Sequence, residues 1–223
     1  RNVSPFCLKI EMLLVALDVP YKMSELANPG KAPKGKLPFL VVDGQRIADS
    51  ELIAQYLDDY TGGKVYAGLT PAQKAQGVAL TRLAEDHLYW IMVASRWLDD
   101  DWWPNVVQGF FGALPGIIRP LVTGMARKQV TRTYQLHGLG RHSLDEQANF
   151  ARRDLEALDA AVPDEGFLFG DAPGIFDFTV AGMMAGIYDN QPLTWVSELA
   201  QPYDKLHAYT ERVQEAVGVW GRK

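Results

Sequence analysis

The sequence predicts a small α/β unit followed by an all-helical one. Three observations carry this prediction: a hairpin motif over residues 34–50, an apolar helical pattern before it, and helical periodicity alone from Thr70 onward. In the motif, Phe39 to Val42 and Gln45 to Ala48 are two β-rich runs separated by Asp43-Gly44. Asp-Gly between such runs is a strong hairpin signal, because a type I′ turn needs two residues that tolerate positive φ. Pro38 opens the first strand, where its missing N–H costs least. Asp49 and Ser50 then begin a helix, so a strand edge, an acidic side chain and a helix N-terminus meet in one place. Such a place suits a small zwitterionic peptide.

Taken in order, the chain enters a helix at once. Ser4 is an apt N-cap and Pro5 an apt first helical residue. Phe6, Ile10, Leu13, Leu14 and Leu17 follow at helical spacing, with Lys9, Glu11 and Asp18 off that face. Asp18-Val19-Pro20 breaks the helix, Tyr21 to Met23 reads as a short strand, and Asn28 to Lys36 is a Gly/Pro/Lys-rich loop into the hairpin. The next helix carries Leu52, Ile53, Tyr56, Leu57 and Tyr60 on one face and ends at Thr61-Gly62-Gly63. This order is a thioredoxin-like half without its opening strand. A right-handed βαβ unit needs a strand before its first helix, and the residues before Ser4 are too few. The strand is therefore expected upstream of Arg1. The α/β domain is assigned to residues 1–63 and an all-helical domain to residues 70–223.

In the second domain, Thr70-Pro71-Ala72-Gln73 is a capping box with Pro at the first helical position. Leu80, Leu83, His87, Leu88, Ile91 and Leu98 lie on or near one face of that helix, which ends at Asp99 to Pro104. After a Gly/Pro-broken region, a long helix is expected from about Pro120 to His137. Ser143 to Glu146 forms another capping box, with a seam of Leu144, Ala148, Ala151, Leu155, Leu158 and Val162. A very apolar helix from about Ile175 to Tyr188 and a last one from about Pro202 to Val217 complete the chain.

The bulk numbers narrow the function. A net charge of −5 argues against nucleic acid or an anionic membrane as the main partner. One cysteine excludes an internal disulfide and fits a reducing, cytoplasmic setting. No apolar run approaches the length of a membrane span. His87, His137, His142 and His207 show no metal-ligand spacing, so no metal is expected.

Three motifs together resemble the glutathione transferase superfamily across the whole chain. Ser4-Pro5-Phe6-Cys7 at a helix start is similar to the Ser-Pro-Phe of the plant tau class and the Cys-Pro-Phe of the omega class. Lys36-Leu37-Pro38 with Asp49-Ser50 resembles the family's glutathione site. Phe169-Gly170-Asp171-Ala172-Pro173 leading to Asp177-Phe178 resembles the buried cap of its helical half. The family usually has Ser or Thr where Gly174 stands, so half of that reciprocal box is missing, and Asp177 is expected to reach back to the Gly174 amide. The Lys-Gly-Lys-Leu-Pro-Phe and Ala-Asp-Ser wording is also similar to the metaxin and failed-axon-connections branch.

The resemblance implies a catalytic Ser4 and a glutathione site of Phe6, Lys36, Leu37, Pro38, Asp49 and Ser50. A thiol is only roughly 3% ionised at pH 7. A hydroxyl at a helix N-terminus can hold it as thiolate; the bland alternative is that Ser4 simply caps its helix. Leu37 would pair its main chain with the cysteinyl unit, Pro38 would be cis, and Lys36 would meet the glycyl carboxylate or be a solvated lysine. Ser50 with the free N–H groups would take the γ-glutamyl carboxylate, and Asp49 the ammonium, or both would only cap. Trp97, Trp102, Trp103, Phe110 and Phe111 would wall a pocket for a small hydrophobic electrophile, or form core and dimer packing. The implied protein is a homodimeric transferase using glutathione as co-substrate. Its rivals are a glutathione-dependent thiol reductase acting through Cys7, which otherwise packs as a buried side chain, and a non-catalytic interaction module of the metaxin-like branch.

Overall fold

The computed structural model describes residues 4–26 and 29–221. Helix α1 (Pro5–Ala16) is capped by the Ser4 hydroxyl and starts on Pro5, as the local chemistry requires. A hairpin of β1 (Phe39–Val42) and β2 (Gln45–Ala48) follows, then α2 (Ser50–Tyr60). Among the described residues these two strands form the one sheet, and Tyr21 to Met23 is irregular, not a strand. A strand exists only with a partner to take its hydrogen bonds, and no described strand pairs with that run. Arg1 to Val3, where an upstream strand would lead into α1, lie outside the described residues.

From Pro71 the described chain is helical. Helix α3 (Pro71–Arg82) passes through a π-helical segment, Leu83–Leu88, into α4 (Tyr89–Trp97) without leaving helical backbone. Then come α5 (Trp103–Phe111), α6 (Arg119–His137), α7 (Leu144–Ala161), α8 (Ile175–Tyr188), the short α9 (Trp195–Ala200) and α10 (Asp204–Val217). Both capping boxes form: Gln73 accepts the Thr70 amide at 2.9 Å, and Glu146 accepts the Ser143 amide at 2.8 Å. The seam of α7 buries Ala151, Leu155, Leu158 and Val162, whereas Leu144 at its head is 59% exposed.

The centre of the molecule is α8, every residue of which is buried except Gly186. Its apolar content leaves no polar face, so it must be enclosed, and α1, α3 and α10 pack around it. Asp177 accepts hydrogen bonds from the Leu168 amide at 2.8 Å, the Gly174 amide at 2.9 Å and the Tyr209 hydroxyl at 2.6 Å. The half-box at Gly174 thus closes as expected, and two further donors complete it. Glycine lets α1 approach α8: a Cβ on Gly182 would lie 2.9 Å from the Pro5 carbonyl oxygen.

Lys9, though off the apolar face of α1, is buried. It is only 3% exposed, and its Nζ lies 2.8 Å from Glu85 Oε1 in the π-helical segment. Burial pushes the Glu85 carboxyl above the usual carboxylate range, against the pull of Lys9.

Candidate functional site

The hairpin has the register Phe39↔Ala48 through Val42↔Gln45, turning at Asp43 (φ 48°) and Gly44 (φ 79°). Leu37 lies just outside this ladder, and the Leu37–Pro38 bond is cis, as the resemblance implies. The Asp49 amide donates to the Pro38 carbonyl at 3.4 Å. That bond carries the pairing one step beyond the strands and seats Leu37-Pro38 beside Asp49-Ser50. Asp49 has φ 95° and ψ 130°, a region essentially reserved for glycine. Its carboxylate is exposed and caps α2 by accepting the Glu51 amide at 2.9 Å, while Ser50 is buried in the first turn. The turn is tied to α3 by Arg82 Nη2, 2.8 Å from each Glu51 carboxylate oxygen. Lys36 is exposed at the end of the preceding loop. These groups can hold an extended peptide: main chain at Leu37, an anion at the α2 start, cations at Asp49 and a carboxylate at Lys36.

Ser4 stands at the other helix start. Its Oγ accepts the Cys7 amide at 3.4 Å, so the capping role is real. It lines a cleft with Arg96, Gly182, Gly186, Asp189, Asn190 and Gly221, which bring α4, the end of α8 and the last described residue together. An Arg96 Nη2 N–H donates to the Gly186 carbonyl across this cleft. Sequence reasoning missed Arg96 and Asn190, since Arg96 sits within α4 and Asn190 just past the end of α8, neither with a motif around it. Phe6, read as a glutathione contact, packs its ring edge-on to Tyr89 at 4.9 Å and 74°. Cys7 is half-buried and forms no disulfide.

The aromatic group at α4–α5 is knitted together internally. Trp97 is ringed by Trp103, Phe110 and Phe111 at 5.9, 5.7 and 6.1 Å between centroids. Trp102 is buried, and its Nε1–H donates to the Pro192 carbonyl at 2.9 Å. Arg127 stacks on Trp103 at 4.9 Å and donates to the Trp97 and Leu98 carbonyls, both at 2.9 Å. Among the described residues, no group of three or more His, Cys, Asp or Glu is gathered to hold a metal ion. His87 instead pairs with Asp154 at 2.5 Å, which raises the imidazole above its ordinary value.

The family profile of the glutathione S-transferase N-terminal domain matches residues 5–102, and that of the C-terminal domain matches residues 151–213. The chain is 32% identical to an isoprene-epoxide–glutathione S-transferase of Rhodococcus sp. (strain AD45), over 96% of this chain and 92% of that one. It therefore belongs to the glutathione transferase superfamily. It is also 29% identical to Failed axon connections of Drosophila melanogaster, over 84% of this chain and 47% of that one. Human metaxin-2 is 23% identical over 93% of this chain and 80% of its own. Among solved structures, a glutathione S-transferase of Methylobacterium radiotolerans in complex with glutathione sulfonate superposes with TM-score 0.63 at 14% identity, covering 99% of this chain and 93% of that one. That likeness establishes the shared fold, a small N-terminal sheet with helices followed by a helical C-terminal unit.

Proposed function

We propose that the protein joins glutathione to a small apolar electrophile, with the tripeptide lying along Leu37 and the start of α2. The observation that carries this reading is the Asp49–Pro38 hydrogen bond, which seats positive-φ Asp49 and the start of α2 beside the Leu37 main chain. A helix start beside an open strand end offers a peptide both a charged anchor and main-chain partners. Phe6, Lys36 and Ser50 complete the assigned binding set. Ser4 is assigned as the hydrogen-bond donor to the glutathione thiolate, in addition to its role as the cap of α1. The reaction then needs only thiol activation and proximity, with no covalent enzyme intermediate. The epoxide named for the Rhodococcus relative is the first electrophile to try. The same proposal takes the protein as a homodimer, which light scattering reads directly.

The test is a glutathione titration followed by tryptophan fluorescence, repeated with Ser4→Ala while thiolate absorbance is recorded. The reading expects saturable binding in both proteins. Thiolate is lost in the variant, and turnover falls on the order of a hundredfold or more, as when one such donor is removed. Binding with turnover that survives Ser4→Ala but not Cys7→Ser would transfer the chemistry to Cys7. Absence of binding in the folded protein would favour a non-catalytic module of the kind suggested by the likeness to Failed axon connections and metaxin-2.

A further inference from the structure

We propose that the outward face of α6, with the turn leading into it, docks on an anionic phospholipid bilayer. From Trp102 to Leu144 the chain holds five Lys and Arg residues and no Asp or Glu; the remaining residues hold 17 Lys and Arg against 27 acidic residues. The acidic total therefore hides a segregated basic segment, and an argument from net charge alone does not apply to this face.

Leu121, Met125, Lys128, Arg132 and Leu136 succeed one another at steps of four or three, which sets them on one stripe of α6, and Ile117 lies in the turn just before it. The stripe and the turn are open: Ile117 is 96% exposed, Leu121 67%, Met125 58% and Leu136 70%. Lys128 and Arg132, in its middle, are exposed as well. On the opposite side Thr123 and Tyr134 are buried against the body of the protein. Phe110 and Ile118, each about half exposed, widen the apolar surface at the turn. Arg119 holds that turn closed by donating to the Leu114 and Gly112 carbonyls at 2.7 and 2.9 Å, so the apex is braced.

Apolar side chains this open, aligned on one face with two cations among them, mark a surface that meets something. A two-fold axis through the middle of this stripe would set Lys128 and Arg132 of one copy against those of the other, which charge repulsion opposes. A bilayer matches the pattern. Leu121, Met125 and Leu136 enter the acyl boundary over about 22 Å of helix lying flat. Lys128 and Arg132 between them lift their charged ends to lipid phosphates. This inference is independent of glutathione chemistry.

The experiment is vesicle co-sedimentation of the full chain, with phosphatidylcholine alone and with phosphatidylcholine mixed with phosphatidylserine. The protein should pellet with the mixed vesicles, not with the neutral ones, and be released by high salt. Lys128→Gln with Arg132→Gln should weaken binding roughly thirtyfold, and Leu121→Ser should weaken it separately. Both variants change exposed side chains, so thermal melts must stay superimposable on the parent for the comparison to count. Failure to pellet with anionic vesicles, or equal binding by the variants, overturns the proposal. So does conversion of a dimer to a monomer by Leu121→Ser, which would give the face to a second copy. Retention by a soluble acidic polypeptide but not by vesicles would assign it to a protein partner instead.

Discussion

Burying Lys9 against Glu85 removes two charges from water, and neither could stay without the other. Truncating one leaves a buried charge unmatched, so Lys9→Met alone should cost about 3–5 kcal/mol in urea unfolding. Combining it with Glu85→Leu should recover most of that loss, because a well-packed apolar pair replaces a buried ion pair at little net cost. A double variant as unstable as the single one would mean that the pair is not the source of the effect. Asp49 poses the opposite case, a residue whose backbone favours glycine. Asp49→Gly should leave stability unchanged or raise it by up to about 1 kcal/mol, since relief of strain offsets the weaker cap. Glutathione affinity, followed in the same titration, should fall. His87 gives a pH signature. Its folded-state pKa is raised above 6.5 by the Asp154 hydrogen bond. Its stabilising contribution is therefore complete below pH 6.5 and disappears as the pH climbs through the folded value. The melting-temperature gap between the parent and Asp154→Asn should narrow on going from pH 6 to alkaline pH. The Asp49 cap could be read from sequence because caps are local chemistry, whereas the cis bond at Pro38 was legible only through the family resemblance. Lys9 could not be read in either way: its partner lies 76 residues away, and periodicity is blind to such a pairing.

At the level of elements, contact between α1 and α8 governs where Ser4 stands. A methyl group on Gly182 would meet a backbone oxygen, not a yielding side chain. Gly182→Ala should therefore shift α1 and destabilise by about 1–3 kcal/mol. Because α1 carries Ser4, turnover should fall more than stability alone explains, measured at a temperature where the variant remains folded. Asp177 anchors the start of the same helix. Asp177→Ala would strand three donors, two of them amides, at about 1–3 kcal/mol each. Soluble expression near parental levels would contradict that role. Helix starts were legible wherever a Ser or Thr capped a box, and the hairpin was legible from Asp43-Gly44. Helix α9 was not anticipated: its cap is Thr194 bonded to the Ser197 amide, without an acidic partner, and it is six residues long. The supposed strand at Tyr21 to Met23 had the right composition, but pairing is a tertiary property.

For the molecule as a whole, the N-terminal elements close their core on α8, which lies far along the chain. A fragment ending at residue 63 would lose that surface and the Glu85 partner of Lys9. It should show no cooperative thermal transition, and a sharp two-state melt from it would refute this. The π-helical segment at Leu83–Leu88 has a consequence of its own. It holds one residue more than an ordinary α-turn would accommodate over the same rise. Deleting one residue there would close the wide turn into an ordinary one and leave the downstream helix in phase, whereas a deletion in the regular turns of α4 would rotate everything beyond it by about 100°. With Trp90 deleted, Ile91 would leave the interior, and Arg96 would swing off the Gly186 carbonyl. The irregular turn thus absorbs one residue without disturbing the winding on either side of it. Removing the exposed Asp86 should therefore destabilise the protein less than removing Trp90, as thermal melts would show.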